Sequence, residues 1–244
     1  MNSAEWTVGY HAVLAVLAAN PRTVELVWVA AGVGGARAKT VIEAARTGGV
    51  RFATVARRQL DGIAQGVAHN GFAARVAPQA YCDVAELFAL PGRVCLIGLD
   101  GIEDPHNLGA VLRVAAGFAL GGVVVAGPHP PPLGGAAAKV AAGCLPLVRV
   151  AHASALGDVA HAARDAGFWI YGAASDGEAV DRIDLPDRLL LCLGAEASGL
   201  RAKTKAALDG RIAIPLDDRV ESLNVAVATG ILAWEWRRRR RADL

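Results

Sequence analysis

VCLIGLDGIEDPHNLGAVLRVAAGFALGGVVVAG, residues 94–127, is the stretch from which the fold can be read. Its first six residues, 94–99, are apolar throughout and lack the alternation of a strand with one wet face, so they predict a strand buried on both sides. A polar island from Asp100 to Asn107 follows. An apolar helical run then begins near Asn107, whose side chain is suited to an N-cap. Gly122 to Gly127 forms a second wholly apolar strand. Two such strands joined by a helix make a βαβ unit, which implies parallel pairing and helices on both faces of the sheet.

The same alternation continues towards the C-terminus. It predicts a helix around Ala136 to Ala142, a strand LVRV (147–150), a helix from Ser154 to Ala166 and a strand FWIYGA (168–173). After these come RLLLCLG (188–194), a short helix near Leu200 to Leu208, RIAIP (211–215) and a long helix from Asn224 to about Arg240. Upstream, HAVLAVLAAN (11–20) and AKTVIEAARTGG (38–49) read as helices on either side of the strand VELVWVAA (24–31), and shorter pieces end at GFAARVAP (71–78). Pro78, the Pro91-Gly92 breaker and the short amphipathic piece between them mark a linker. The organisation expected is a small α/β domain over 1–77, a linker over 78–92 and a parallel-sheet α/β domain over 93–244.

Composition narrows the function classes. With 54% hydrophobic and 20% charged residues in 244, the chain is globular. The uncharged run from Val114 to Ala138 is long enough for a membrane span, but its paired glycines and the prolines 130–132 exclude one. The N-terminal MNSAEWTVGY lacks the basic-then-apolar layout of a secretion signal, so a cytoplasmic location is expected. Cys82, Cys95, Cys144 and Cys192 are widely spaced with no metal-ligand pattern and read as buried free thiols; no metal is expected. The net charge of +2 does not advertise a nucleic-acid partner, and the basic run Arg237 to Arg241 reads first as a solvated helix end. Gly32-Val-Gly34 sits where a dinucleotide fingerprint would, but Arg37 replaces the third glycine and no acidic residue follows at the ribose-binding distance.

Three polar islands remain, each at the end of an apolar strand, the edge where open α/β sheets bind ligands. The first, Asp100 to Arg113, contains Asn107 and an arginine in an apolar helix. In the second, Leu193 to Leu200, the small residue Gly194 allows close backbone approach and Glu196 supplies an acceptor. The third, Ile214 to Asn224, offers Ser222 and Asn224 as possible caps of the long helix.

Together, as D-P-H-N-L-G-A-x-L-R, L-G-x-E-x-x-G-L and I-P-x…S-L-N-V-x-V-A-T-G-I, the islands resemble the three motifs of the SpoU methyltransferases of the SPOUT superfamily. Gly9-Tyr-His-Ala-Val13 and His69 to Arg75 resemble the start and end of the small RNA-binding domain that many members carry in front, with His69 a marker of that domain rather than a catalyst. The resemblance implies a trefoil-knotted parallel-sheet methyltransferase domain, a homodimer and S-adenosylmethionine as methyl donor. The substrate it implies is a ribose 2′-hydroxyl of RNA, with ribosomal RNA and the 23S guanosine branch ahead of tRNA. A non-catalytic RNA-binding dimer of the same fold is the reading from another class. By matched position, Arg113, Asn107, Glu196, Ser222 and Asn224 carry the catalysis, and Gly194, Ile214, Leu223, Glu196 and Ser222 hold the cofactor. The chain departs from the family pattern at GPHPPPLGG (127–135), at 139–146, and at Asp218 and Glu221.

Overall fold

The computed structural model describes residues 5–64, 66, 68–195, 198–217 and 219–238. They form two compact units, Met1–Gln79 with Leu133–Leu147, and Ala80–Pro132 with Val148–Leu244.

In the first unit, β1 (Glu5–Val8), α1 (Tyr10–Ala19), β2 (Val24–Ala30), α2 (Gly35–Thr47), β3 (Arg51–Val55), α3 (Arg57–Ala64) and β4 (Phe72–Val76) follow in chain order. The strands form a sheet of order β1-β4-β2-β3, in which only β2 and β3 pair in parallel. Val27 and Val29 of β2 and Phe72, Ala74 and Val76 of β4 face α1 and α2, where Val13, Val16, Leu17, Val41 and Ala45 complete the main core. A smaller cluster of Ala30, Leu60 and Ala73 lies on the opposite face. His69 is buried. Its Nδ1 accepts from the Gly71 amide at 3.0 Å, which leaves Nε2 to donate to Asp61 at 2.9 Å. It ties the turn before β4 to α3, a structural role in keeping with that of a domain marker.

The second unit opens with α4 (Val84–Phe88), whose N-cap Asp83 and Glu86 form a capping box. Next come β5 (Val94–Asp100), α5 (Pro105–Gly117) and β6 (Gly122–Ala126). The chain passes through α6 (Gly135–Ala141) in the first unit and resumes as β7 (Val150–Ala153), α7 (Leu156–Asp165), β8 (Trp169–Ala179), β9 (Arg188–Gly194), α8 (Ala202–Ala206), β10 (Gly210–Ala213) and α9 (Val225–Arg238). The six strands pair in parallel in the order β10-β8-β9-β5-β6-β7. All seven residues of β5 are buried. The unbroken apolar runs of β5 and β9 thus mark the two central strands, covered on both faces.

One face packs Leu96, Val124, Leu190 and Cys192 against Leu156, Val159, Ala160 and Ala163 of α7 and Leu87 of α4. A side chain at Gly98 would meet Leu156 at 2.8 Å, so the glycine lets α7 lie close. On the other face α9 returns from the sheet edge at β10 to pack on α5, β5 and β9. Its C-terminal half is fixed by Trp236, 3% exposed, whose indole donates to the Pro186 carbonyl at 3.0 Å and stacks under the Arg93 guanidinium at 3.7 Å.

Two expectations move. LVRV at 147–150 is strand only at its last residue, because Leu145–Leu147 forms a 3-10 turn around Pro146 and β7 starts at Val150. Of the four cysteines, all free, Cys95 and Cys192 are buried while Cys82 and Cys144 are half-buried. Burial pushes the Cys95 thiol up to about 12 and the Cys192 thiol further, with the Asp100 charge adding to the latter, so neither is a nucleophile near neutral pH. Among the described residues no helix is long and apolar enough to cross a membrane, and no cluster of three metal-ligating side chains occurs.

Candidate active site

Parallel strands end on one edge of the sheet, and the three islands meet the solvent along that edge. The first begins at Asp100, the last residue of β5, paired in register with Gly194 at the end of β9. Gly101 turns the chain with φ +75° and donates its amide to the Ala126 carbonyl at 2.9 Å. Helix α5 then starts two residues before Asn107. Asp104 is its N-cap, accepting from the His106 amide at 2.8 Å, with Pro105 in the first helical position. The amide and imidazole of His106 hold the Asp104 carboxyl below the ordinary carboxylate value, so the cap stays charged to more acid pH than a free aspartate. Asn107 is therefore not the cap.

Freed from capping, Asn107 reaches across to the third island. Its Oδ1 accepts from Asn224 Nδ2 at 2.8 Å, and Asn224 Oδ1 in turn accepts from the Ala226 amide at 2.9 Å. Asn224 is thus the cap of α9 and also the link between the first turns of α5 and α9, two helices that pack along their length. Both helices bring the positive ends of their dipoles to this point. Arg113 lies six residues beyond Asn107, about 9 Å along the helix axis. It is exposed and forms no hydrogen bond or ion pair with another described residue.

The second island is a tight return. Gly199 has φ +62° and donates to the Ala195 carbonyl at 2.7 Å. A side chain at Gly194 would lie 2.0 Å from the Gly199 carbonyl carbon, so the backbone passes itself where only glycine fits. Glu196, expected to act here, lies outside the described residues, as does Asp218 of the third island. In that island Ile214 and Leu223 are half-buried, Ser222 and Glu221 are exposed, and Asp217 pairs with Arg219 at 2.7 Å. The backbone of 214–216 and 222–224 belongs to no strand or helix.

Two features escaped the sequence. Asp100, 1% exposed, holds the start of α8: its Oδ2 accepts from the Arg201 amide at 2.9 Å and from the Thr204 hydroxyl at 2.7 Å. The signal was an aspartate closing an otherwise apolar strand. The proline-rich loop after β6 is stapled at both ends, with Tyr81 donating to the Pro131 carbonyl at 2.6 Å and His152 Nε2 to the Gly127 carbonyl at 2.9 Å. Burial raises the Tyr81 phenol to about 12, so it remains a donor. At the far end of α9, Arg238 pairs with Glu235 at 2.7 Å, and Arg239 to Arg241 lie outside the described residues. The described part of the basic run is a solvated helix end.

The edge suits S-adenosylmethionine in its chemistry. A close-packed glycine turn exposes backbone, loop segments 214–216 and 222–224 hold polar groups not committed to a strand or helix, and half-buried Ile214 and Leu223 offer apolar surface for a nucleobase.

Comparison with known proteins agrees with the geometry. Residues 95–234 match the SpoU rRNA methylase family, and residues 6–82 match the RNA 2′-O ribose methyltransferase substrate-binding domain. The chain is 35% identical over 241 residues to the 23S rRNA (guanosine-2′-O-)-methyltransferase RlmB of Xanthomonas axonopodis pv. citri, covering 97% of each. It is 36% identical to the enzyme of that name from Salmonella typhimurium, covering 97% of this chain and 99% of the relative. In fold it resembles the SpoU methyltransferase AviRb from Streptomyces viridochromogenes in complex with AdoMet, with a TM-score of 0.72 at 23% identity over 98% of this chain and 91% of that one. An AdoMet-bound rRNA methyltransferase from Sinorhizobium meliloti gives 0.75 at 21%, over 98% and 88%. With its motifs on one sheet edge and its family model spanning more than half its length, the chain belongs to the SpoU rRNA methylase family, the S-adenosylmethionine-dependent RNA 2′-O-methyltransferases.

Proposed function

We propose that this protein methylates the ribose 2′-hydroxyl of a guanosine in 23S ribosomal RNA, in the cytoplasm. The relatives named for that reaction align over nearly the full chain, including the N-terminal domain, which favours ribosomal RNA over tRNA. The observation that carries the reading is Arg113: an exposed guanidinium without a partner among the described residues, on the helix that leaves the ligand-binding edge. A non-catalytic dimer would have no use for it.

S-adenosylmethionine, when bound, supplies an activated methyl group and its own leaving group. The protein's work is positioning and electrostatics. Gly194, Ile214, Leu223, Ser222 and Glu196 are assigned to the cofactor. Asn107 and Asn224 fix the helix starts beside it, and with Ser222 and Glu196 they orient the ribose. Arg113 stays protonated, since a guanidinium does not give up its proton below about pH 12. It grips the adjacent phosphate and stabilises the developing 2′-alkoxide, while the proton leaves to phosphate or water. Mapping 2′-O-methyl groups in total RNA from cells with and without the gene tests the reading. One 23S guanosine should lose its methyl group when the gene is deleted. An unchanged 23S map with a lost tRNA methyl group would overturn the substrate.

The proposal extends to a knotted C-terminal path and a homodimer. The surface of α9 supports the dimer: Val227, Ile231 and Trp234, at helical spacing, are 51%, 37% and 47% exposed, and the Phe118 ring lies 6.2 Å from Trp234. Trp234→Glu places a charge in that stripe and should convert the dimer to monomer in sedimentation velocity. A wild-type chain that sediments as a monomer would remove the dimer.

A further inference from the structure

The sheet of the first unit is covered unevenly. On one face α1 and α2 build the main core, while among the described residues the other carries only α3, eight residues long. Strand register shows what that face presents. One cross-strand row reads Val8, Ala73, Trp28, Ala53, and Ala30 lies opposite Val55 in the row beyond it. Trp6, Val8, Trp28, Val33, Val55 and Ile63 pack around Ala30, Leu60 and Ala73 beside α3, and Trp6 and Trp28 stay half-buried at the border of that cluster. The next row in the other direction reads Trp6, Arg75, Leu26, Arg51 across all four strands. Trp6 and Leu26 are half-buried, and Arg51 and Arg75 are exposed.

The two indoles meet across β4. Trp6 and Trp28 lie on strands separated by it, yet their ring centroids are 4.3 Å apart at 40°, above small, fully buried Ala73. Arg75 pairs with Glu25 at 3.1 Å, and both side chains stay nearly half exposed, at 48% and 43%. Arg51 has no partner among the described residues. An aromatic pair bordered by small residues and followed by alternating arginines is poor protein core, since two guanidiniums would have to be desolvated. It is suited to unpaired nucleotides: bases stack on indole and on the guanidinium plane, while arginine also meets phosphate.

We propose that the half-buried indoles Trp6 and Trp28 at the border of the α3-covered cluster, with exposed Arg51 and Arg75 beyond them, form a stacking platform for an unpaired segment of the RNA substrate. The proposal rests on the RNA-methyltransferase reading and adds the surface and the single-stranded state of what it holds. Base stacking is sequence-tolerant, so the platform anchors a loop or bulge rather than reading its sequence.

The test uses the full-length protein and separates binding from chemistry. In Trp6→Leu and in Arg51→Glu, the KM for ribosomal RNA should rise about tenfold, with turnover at saturating RNA and S-adenosylmethionine affinity retained. Trp6→Phe, which keeps an aromatic face, should stay within about twofold of wild type. A short unpaired oligoribonucleotide should quench tryptophan fluorescence in the wild type and much less in Trp6→Leu, and the same sequence as a duplex should quench weakly. An unchanged KM and unchanged quenching in both variants overturns the platform, as it would if another protein covered this face. Equal quenching by duplex and single strand also overturns it. A wild type that quenches with RNA but transfers no methyl group would count against the enzymatic reading and leave the platform standing.

Discussion

Replacing Arg113 with alanine should lower methyl transfer by at least about two to three orders of magnitude, the loss typical when a preorganised donor to developing negative charge is removed. S-adenosylmethionine affinity and stability should be nearly untouched. The structure explains the asymmetry. Arg113 is exposed and bonded to no described residue, so removing it strands no buried partner and opens no cavity; the expected change in unfolding free energy is within about 0.5 kcal/mol. Asn107 and Asn224, which join the helix starts, keep their 2.8 Å hydrogen bond without it. Arg113→Lys keeps the charge but not the two-pronged grip on a phosphate, and should recover only part of the rate. Single-turnover kinetics with saturating RNA, beside calorimetric titration of the cofactor, separates the cases. If the alanine variant keeps more than a tenth of the wild-type rate, Arg113 is not the residue that meets the developing charge. If it loses cofactor affinity in proportion, its role is in the cofactor loops.

The sheet was legible because its central strands leave little choice. VCLIGL and RLLLCLG have no polar face, so both sides must be covered, and these are β5 and β9 in the middle of the order. Island position was legible for the same reason, as a polar residue after such a run can only lie at the strand's end. Apolar periodicity reaches back only to Asn107, whereas α5 starts at Asp104-Pro105, an N-cap followed by a favoured first residue. Asn107, not needed as a cap, instead accepts from a residue 117 positions away, a contact that local sequence does not signal. The strand LVRV failed because Pro146 and the residues about it fold into a 3-10 turn that short apolar composition does not signal. The Trp6 to Arg51 row was out of reach for a different reason. It joins residues from four strands, and register in a mixed sheet is set by tertiary packing rather than by any one segment.

The Asp100 node was the hardest to anticipate, and it sets the second large effect: Asp100→Ala should cost about 3 kcal/mol of stability and weaken cofactor binding. Asp100 and Thr204 are 1% exposed, and the carboxylate oxygen that accepts the Thr204 hydroxyl also accepts the Arg201 amide. Removing it leaves a buried hydroxyl and an amide unsatisfied, at about 1–3 kcal/mol each. The ion pair with the Arg201 guanidinium contributes little, since that side chain is 46% exposed and 3.7 Å away. Arg201 directly follows Gly199 and Leu200, which pack back on Gly194, so the lost anchor frees the far end of the turn proposed to hold the cofactor. Asp100→Asn can present one oxygen to both donors and should cost about a third as much, because it gives up the charge-assisted strength but not the geometry. Thr204→Val removes a donor instead and leaves Asp100 Oδ2 with the Arg201 amide alone. Urea unfolding with and without S-adenosylmethionine reads both quantities: the alanine variant should unfold at lower denaturant, and its stabilisation by a fixed cofactor concentration should shrink. An alanine variant within about 0.5 kcal/mol of wild type would mean that the node is no anchor. A destabilised variant whose cofactor response is unchanged would confine Asp100 to the core and detach it from the site.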